Sequence, residues 1–581
     1  MPISLPGAMF LANAKSEKRP AFYVVFDGSP GIPYIFATSA ASGSSVPLTF
    51  GSDHTFGAQP IGEPDAGTTY LFGASTIVGG VARLKTPTGF GAEVVPDQGS
   101  SSISGVSIEI LDCPELRDTM ANYQPIKGRD VRIFAGFTDV PASDWVCVFT
   151  GSVTNRQQFG DALGWRFEAQ DRQFFEKRQV FNVLTATLSG TIASGATTVA
   201  VTEDLDAAGW PASGYARIEN EIIAFGTRTT NSLATCTRGQ LGTVAAAHDT
   251  GTRTTELLRL TGHPITLALQ VLTSTGAGTN GAYDVLPARH GLGISVSRID
   301  VTKFLAVRDD LSSTNVFDFY IVAPENGKEW IEREIMKPCN CYQVQTGGGL
   351  MSVVLFEPPE PDAVLAVLND DNCLPIPSVN LNDERHYNQA VWLYDHDPIS
   401  GEFRTPQTEN EPTSQAKYGA VYSMVFQSKG LRTALSGQAI ALSRSQRFFT
   451  RYAEPPMLVE VEGFFSTFTI EPGDLVSWSS SKPLDHRSTN RGITGALTME
   501  VLRKEMNFER GRMKFSLLYT PFATARYAKY GQVGMPDYAA ASSPQRTRFV
   551  FIGADTDADG VADLPDTADS PSNPDDPYRY Q

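Results

Sequence analysis

The strongest constraint on the fold is an amphipathic pattern that stops at two consecutive prolines. Residues 438–453 have helical periodicity, and Leu442, Phe449 and Tyr452 fall on one face at spacings of seven and three. The residues at 455–456 are both proline, which cannot donate the next helical hydrogen bond, so the helix must end there. The chain after it has to continue in another conformation.

Two predicted strands follow these prolines. Residues 458–462 alternate between apolar and polar side chains, which is the pattern of a strand with one buried face. The sequence Glu-Pro-Gly-Asp at 471–474 is typical of a turn, and it leads into a second strand over 475–478. The 51 glycines and 37 prolines of the chain likewise favour strands and turns over helices.

Length and charge narrow the possible classes of protein. A chain of 581 residues is too long for one hydrophobic core, and about four domains are expected. No run of about 18 apolar residues predicts a membrane span, and residues 1–11 lack the basic start of a signal peptide. The formal net charge of −17 argues against a surface that grips nucleic acid by neutralising phosphates. It is compatible with a channel wall along which phosphates slide.

Several weaker motifs lie along the chain in a fixed order. They are the Gly-rich segment 272–284 with Gly-Leu-Gly-Ile at 291–294, the segment 329–338 followed by Cys341-Tyr342, and the segment 395–408. Together with 437–478, these motifs spread over roughly residues 100–520, and the whole arrangement resembles the tail hub (baseplate hub) proteins of long-tailed bacteriophages and gene-transfer particles.

The resemblance implies a role in assembly. Tail hub proteins form a trimer whose barrels make a pseudo-sixfold ring, which joins the sixfold tail tube to a threefold tip and surrounds the DNA ejection channel. The implied location is the tail tip, or baseplate, of a siphovirus-like virion assembled in the cytoplasm of a bacterial host. The implied partners are a distal tail or tail tube protein, the tape measure protein and a central fibre or spike protein. DNA would pass through the channel without specific binding.

The predicted fold class is mainly β with α+β portions, in several domains that include two tail-tube-like β-barrels. We predict five segments. They are an N-terminal barrel-like domain (1–185), an inserted small β module (186–256), an α+β domain (257–375), a second barrel-like domain (376–520) and a C-terminal extension (521–581).

Two other functional classes remain open at this stage. The first is a tail-tip enzyme that degrades the cell envelope, but no GxSxG elbow or HExxH spacing is present, so we predict that the chain is not an enzyme. Carboxylate pairs for glycoside hydrolysis are usually distant in sequence, and nothing positive supports them. The second is a receptor-binding or glycan-binding tail protein that takes part in host attachment, for which the Thr-rich module 186–256 is the candidate surface.

A calcium loop is the sharpest metal motif. Carboxylates occupy positions 1, 3, 5, 9 and 12 of the segment 555–566, and glycine occupies position 6, which is the spacing of an EF-hand loop. The predicted ligands are the side chains of five aspartates and one backbone carbonyl: Asp555, Asp557, Asp559, Asp563, Asp566 and the carbonyl of Val561. The flanking EF-hand helices are missing, and position 12 is Asp rather than Glu. A solvated acidic tail is the alternative.

Three further patterns yield weaker hypotheses. Cys339, Cys341 and Cys373 are a possible thiolate set, and some tail-tip proteins carry an iron–sulfur cluster, but we expect free buried thiols and no cluster. Residues 395–397 (Asp-His-Asp) with His386 are a possible metal site, and turn residues are the simpler interpretation. The segment 276–281 fits GxGxxG but follows a predicted helix rather than a strand, so we interpret it as a connecting loop. We therefore predict no catalytic residues and no cofactor-binding residues other than the calcium ligands.

Overall fold

The computed structural model describes most of the chain between residues 84 and 519. The described residues are 20–26, 34–37, 47–50, 68–71, 84, 87–103, 105–111, 130–137, 144–154, 158–159, 164–171, 178–311, 315–345, 349–355, 366–374, 377–381, 383–485, 491–507, 510–519, 551–552 and 578–579. The fold is mainly β, with several sheets and a smaller α+β portion, as the sequence predicts.

The N-terminal strands form a seven-stranded sheet, here called the first sheet. Its strands, in spatial order, are Tyr34–Ala37, Pro20–Phe26, Asp130–Phe137, Val146–Val153 and Gly164–Asp171, and the last of these also pairs with Gln158–Phe159 and Val106–Leu111. Among the described strands, nothing joins Tyr34–Ala37 to Val106–Leu111, so the sheet is open there.

A second sheet of eight strands is built mainly from the C-terminal half. Its strands, in order, are Ala366–Leu368, Leu475–Leu484, Arg491–Asn507, Arg512–Tyr519, Met457–Phe464 and Ser378–Leu381, with Phe90–Val95 and Ser100–Ile103 added beside Arg491–Asn507. The two sheets share one hydrophobic core. The Phe137 ring of the first sheet lies 5.6 Å from Phe465 and 6.4 Å from Phe468, measured between ring centroids.

One short segment connects these two sheets. Thr88 exchanges backbone hydrogen bonds of 3.1 and 2.8 Å with Ser107 of the first sheet, whereas the linking hairpin (residues 90–103) pairs with the second sheet. Gly89 lies at the crossing with φ +93°, and a Cβ there would lie 2.5 Å from the Gly105 carbonyl oxygen. Only glycine permits this conformation and this close approach.

The Thr-rich module folds as a small barrel. Its strands follow the order Thr185–Thr187, Arg253–Gly262, Gly214–Ile218, Glu221–Thr229, Ser232–Thr237 and Val199–Ala200. A bridge between Leu188 and Val201 joins the last strand to the first and closes the barrel around its own core, which includes Trp210 and Phe225. Closure removes the free strand edges that a small open sheet exposes.

A third core lies between the barrel and the second sheet. Its helices are Pro264–Thr273, Val301–Asp310, Gly327–Trp330 continued by a π-helical turn at Ile331–Met336, Pro412–Tyr418 and the long helix Gly437–Tyr452. Its strands are the hairpin Cys341–Gln345 with Met351–Leu355, the three-stranded sheet of Phe403–Asn410, Gln389–His396 and Ser423–Gln427, and Phe317–Ile321, which pairs antiparallel with residues 258–262 of the strand Arg253–Gly262.

Short elements complete the described structure. The remaining strand pairs are Pro47–Phe50 with Thr68–Leu71, Gln179–Val180 with Glu325–Asn326, and Phe551–Ile552 with Tyr578–Arg579. The 3-10 turns are Pro96–Gln98, Gln240–Gly242, Ala288–His290, Val296–Arg298, Asp383–Arg385, Thr433–Leu435 and Phe465–Thr467.

The buried face of the long helix differs from the predicted one. Phe449 and Tyr452 are buried, but Leu442 is 41 % exposed. On the buried face, Ser445 accepts a 2.8 Å hydrogen bond from the Trp392 indole, and the centroid of the Phe448 ring lies 5.1 Å from that of Phe426. The predicted apolar face rests on only three residues, which are too few to fix the orientation of the helix. Contacts with the three-stranded sheet decided it.

The division into five segments stays a prediction. The strand Arg253–Gly262 runs across the proposed boundary at 256, and residues 90–103 belong to a sheet made otherwise of residues 366–519. In the described part of the chain, no helix is both long and apolar enough to span a bilayer.

Candidate functional site

The Glu-Pro-Gly-Asp turn is held by its own backbone and one side chain. The Asp474 carboxylate accepts a 2.8 Å hydrogen bond from the Glu471 amide, and Gly473 adopts φ +88°. The Gly473 amide donates to the Val501 carbonyl at 2.7 Å, and the Val501 amide donates to the backbone carbonyl of Asp474 at 2.9 Å. These bonds fix the turn against the neighbouring strand, so the strand beginning at Leu475 starts in register.

The Glu471 side chain points into the interior beside a buried lysine. Lys504 Nζ lies 3.0 Å from Glu471 Oε1 and donates a 2.5 Å hydrogen bond to the Phe468 carbonyl. Burial raises the pKa of Glu471 above its ordinary value, and the Lys504 charge opposes that shift only in part. A cavity of about 40 Å³ adjoins this pair, with Phe90 and Val148 in its lining.

A second buried carboxylate joins the turn region to two other motifs. Glu500 accepts hydrogen bonds from the Tyr342 hydroxyl and from the Arg451 guanidinium, and all three side chains are buried. Burial, followed by the nearby Glu500 charge, raises the pKa of Tyr342 well above its ordinary value, so this phenol stays neutral. Two segments that the sequence singled out, the Cys341 hairpin and the long helix, therefore meet at a carboxylate of the strand Arg491–Asn507.

This junction has the chemistry of a structural connection. Its charged groups pair with one another, and burial makes the loss of one partner costly. We find no serine, cysteine or histidine nucleophile next to a base among the side chains named at this junction. The arrangement positions elements relative to one another rather than presenting a reactive group to a substrate.

An open groove lies on the outer side of the same strands. Its volume is about 700 Å³, and its lining includes Phe90 and Met506, which also line the small cavity beside Glu471. Arg503, Arg510 and Arg512 contribute guanidinium groups to the lining. The groove therefore adjoins the small cavity beside Glu471.

The barrel contains a separate cluster around a buried glutamate. Glu221 accepts two hydrogen bonds from Arg238, at 2.7 and 2.6 Å, and one from the Nε2 side of His248 at 2.8 Å. The amides of Gly239 and Ala246 add two more, both at 3.0 Å. Burial alone would raise the pKa of Glu221, but these donors, Arg238 foremost, lower it to about 2.

The predicted calcium ligands lie outside the described residues. This applies to Asp555, Asp557, Asp559, Val561, Asp563 and Asp566 alike. Within the described ranges, no group of three or more His, Cys, Asp or Glu side chains has the arrangement of a metal site. The calcium loop therefore stays a prediction.

The structure separates the three candidate cysteines. Cys339 and Cys341 are buried in the core that holds the long helix, whereas Cys373 is buried in the core between the two sheets. Burial raises the pKa of the Cys339 thiol to about 11 and that of Cys373 to about 12, so both are protonated at neutral pH. These thiols do not converge on one point.

The Asp-His-Asp segment and the histidine at 386 also have separate structural roles. Asp395 accepts hydrogen bonds from the Thr405 hydroxyl at 2.6 Å and the Thr433 amide at 2.9 Å. Burial, then the charges of Lys429 and Arg432, lowers the pKa of His396 to about 4. His386 instead lies 3.0 Å from the Ala453 carbonyl, at the end of the long helix.

The Gly-rich segment 276–281 forms a connecting loop. It follows the helix Pro264–Thr273, and the Asp284 carboxylate accepts hydrogen bonds from the amides of Thr275 at 2.7 Å and Asn280 at 3.0 Å. The Thr275 hydroxyl bond, then these amides, lowers the pKa of Asp284 to about 2. The Asp284 carboxylate therefore already occupies the position at which these amides could bind an anionic ligand.

Sequence reasoning missed the groups that pair across long distances. The Glu221 cluster had one local signal, an Arg-Gly turn at 238–239 that precedes His248. Lys504 and Glu500 carry no recognisable motif, because they lie in a long strand whose partners are far away in sequence. Asp300 caps the helix Val301–Asp310, which also escaped prediction, by accepting from the Lys303 amide at 3.1 Å.

Comparison with known proteins gives no family assignment. No protein-family model matches the chain, and no curated protein matches it. Among solved structures, the 43 kDa tail protein of prophage MuSo2 from Shewanella oneidensis is 10 % identical, with 76 % of this chain and 98 % of that chain covered, at a TM-score of 0.35.

Two other solved structures complete the comparison. Prophage tail protein gp18 from Listeria monocytogenes EGD-e is 7 % identical over 74 % of this chain and 88 % of that one, with a TM-score of 0.32. A chain from the virion of a native gene transfer agent is 12 % identical over 43 % of this chain and 84 % of that one, with a TM-score of 0.19. At these TM-scores the likenesses carry no argument about fold or function.

Proposed function

We propose that this chain is a structural phage tail protein, specifically the tail hub that joins a tail tube to a tail tip. The observation that carries the proposal is the junction at Glu500. The long helix and the Cys341 hairpin, two of the segments on which the resemblance to hub proteins rests, meet there through Arg451 and Tyr342. The resemblance thus extends over residues that share one structural task.

The two sheets support a ring as the assembly. Each chain supplies a first and a second sheet that share one core, so a trimer would present six sheets to a sixfold tube. A closed ring needs two different faces on each subunit, and the two sheets differ in their strands and edges. The ring would surround the DNA channel, where the net charge of −17 would let phosphates slide.

The proposed partners follow from this position. A distal tail or tail tube protein would contact one side of the ring, and a central fibre or spike protein would contact the other. The tape measure protein would lie inside. The site would be the virion tail tip of a siphovirus-like particle, with a role in host attachment and genome ejection and no enzymatic activity.

We also propose a calcium ion for the C-terminal segment. Asp555, Asp557, Asp559, Asp563 and Asp566, with the Val561 carbonyl, have the ligand spacing of a calcium loop. Aspartates this close repel one another in the absence of a cation.

Stoichiometry tests the hub assignment. The purified protein should have a native mass three times the 62.9 kDa mass of one chain. Electron cryomicroscopy of particles should show three copies at the tail tip. Six copies along the tube, or absence from the particle, would reject the assignment. Peptidoglycan or polysaccharide turnover that one Asp or Glu substitution abolishes would favour the enzyme class instead.

A further inference from the structure

The open groove is lined by arginines that the described residues engage only in part. Arg510 makes no ion pair in the described part of the chain, and only its backbone amide is engaged, with the Asn507 side chain at 3.1 Å. The Arg512 guanidinium lies 4.5 Å from the centroid of the Phe464 ring, and its Nη1 atom is buried with no hydrogen-bond partner among the described residues. A guanidinium held against an aromatic ring is preorganised to bind an acceptor through its accessible nitrogens.

The other charged pairs at the groove are weak. Arg512 Nε lies 3.8 Å from Glu462 Oε1, and Lys514 Nζ lies 3.5 Å from Glu460 Oε2, both beyond the usual distance of a charge-assisted hydrogen bond. Arg503 and Glu505 form a pair in which both side chains are more than a third exposed. Exposed pairs of this kind contribute only about 0–1 kcal/mol each, so an incoming carboxylate can replace the glutamates.

The shape of the groove favours an extended peptide. A volume of about 700 Å³ is in the range of ligand clefts and is too small for a nucleic-acid duplex. Gly89, Gly91 and Gly105 form part of the wall and carry no side chain, which lets another backbone approach closely. Phe90 and Met506 supply the apolar part of the lining.

We propose that this groove binds an extended acidic peptide segment of a neighbouring protein chain, with carboxylates held by Arg510 and Arg512. The carboxylates form bidentate bonds with these guanidinium groups, and the peptide backbone lies along the glycine wall. The bound segment contacts both the linking hairpin and the strand Arg512–Tyr519. It therefore fastens the hairpin that connects the two sheets.

Fluorescence anisotropy with the full-length protein tests this site. The probe is a labelled eight-residue peptide with four aspartates, and its reference is the same peptide with asparagines. The aspartate peptide should bind, with an affinity that falls as salt concentration rises. Arg510→Gln and Arg512→Gln should each weaken binding about tenfold, the effect of one lost charge-assisted bond.

Two controls make the result decisive. Arg166→Gln removes an arginine that is half exposed, lies in the first sheet and pairs with Glu168, so it should leave binding unchanged. Arg512→Lys keeps the positive charge but loses the planar guanidinium that binds a carboxylate through two nitrogens, so it should weaken binding. Its melting temperature should change by no more than that of Arg510→Gln. Equal binding of both peptides, no effect of either arginine substitution, or full displacement by millimolar inorganic phosphate would overturn the proposal.

Discussion

Two buried glutamates show how differently the barrel and the two-sheet core are built. Glu221 in the barrel has donors from Arg238, His248 and two backbone amides, and its pKa falls to about 2. Glu471 in the two-sheet core has one cation, Lys504, and burial raises its pKa. The same side chain is stabilised as an anion in one region and destabilised in the other. The donors around Glu221 outweigh the effect of burial on its pKa, whereas the single cation beside Glu471 does not.

The difference reflects how each region closes. The barrel places Glu221, Arg238 and His248 within a short stretch of chain, so hairpin turns deliver the donors locally. In the two-sheet core, Glu471 lies in the turn before a strand that pairs with the strand of Lys504, but the lining of the cavity beside them includes the N-terminal residues Phe90 and Val148. The core therefore depends on distant segments that the barrel does not need.

The largest effect is expected at the interface of the two sheets. Phe137→Ala removes a ring packed on Phe465 and Phe468 and should lower the free energy of unfolding by about 3–5 kcal/mol. Hydrogen exchange should accelerate in both sheets together, while the barrel strands keep their protection. Leu442→Ala, at an exposed position, should change stability by less than about 0.5 kcal/mol. Loss of protection in the first sheet alone would show that the two sheets do not share a core.

Next in size is the loss of the barrel carboxylate. Glu221→Gln leaves the buried Arg238 without its anion and should cost about 3 kcal/mol in barrel stability. Glu219→Gln is the matched control, because Glu219 contacts the same His248 but is 62 % exposed. Barrel peptides should lose hydrogen-exchange protection only in the first variant. Equal losses in both variants would mean that the Glu221 cluster has no special role.

The pH dependence of the two regions should have opposite signs. The stabilising effect of Glu221 is complete above its ordinary pKa of 4.5 and is lost as the pH falls toward 2. Glu471 holds its proton more tightly in the folded state, so its effect favours folding near pH 4.5 and declines as the pH rises above that value.

Urea unfolding with barrel-specific and core-specific probes between pH 3 and pH 7 measures both trends. The stability difference between wild type and Glu221→Gln should shrink on acidification below about pH 4.5. The wild type should gain stability relative to Glu471→Gln as the pH is lowered from 7 to about 4.5. Parallel slopes for the two pairs would contradict the contrast between the regions.

Calcium removal should have the smallest effect on either region. If the loop at 555–566 binds calcium, chelation should increase proteolysis after Ile552 and leave the unfolding of the barrel and the two-sheet core unchanged. Limited proteolysis followed by mass spectrometry measures this. The variant Asp559→Asn should give the same cleavage pattern with calcium as the wild type gives with chelator. Cleavage that is insensitive to calcium would favour the solvated acidic tail.

The sequence alone determined the local elements. The long helix that ends before two prolines, the strand that follows them and the strand after the Glu-Pro-Gly-Asp turn all follow from periodicity and turn residues, because neighbours in sequence set those preferences. The mainly β class followed for the same reason. The resemblance to hub proteins also came from the sequence, since it rests on the order of short motifs.

Only the tertiary structure decided which distant residues share an environment. It turned the long helix so that Leu442 faces outward, inserted residues 90–103 beside the strand Arg491–Asn507, and brought Tyr342, Arg451 and Glu500 together. Periodicity specifies that a face is apolar but not which surface covers it. A buried charge gains its partner from whichever strand the fold delivers, and that depends on the whole chain closing around its cores.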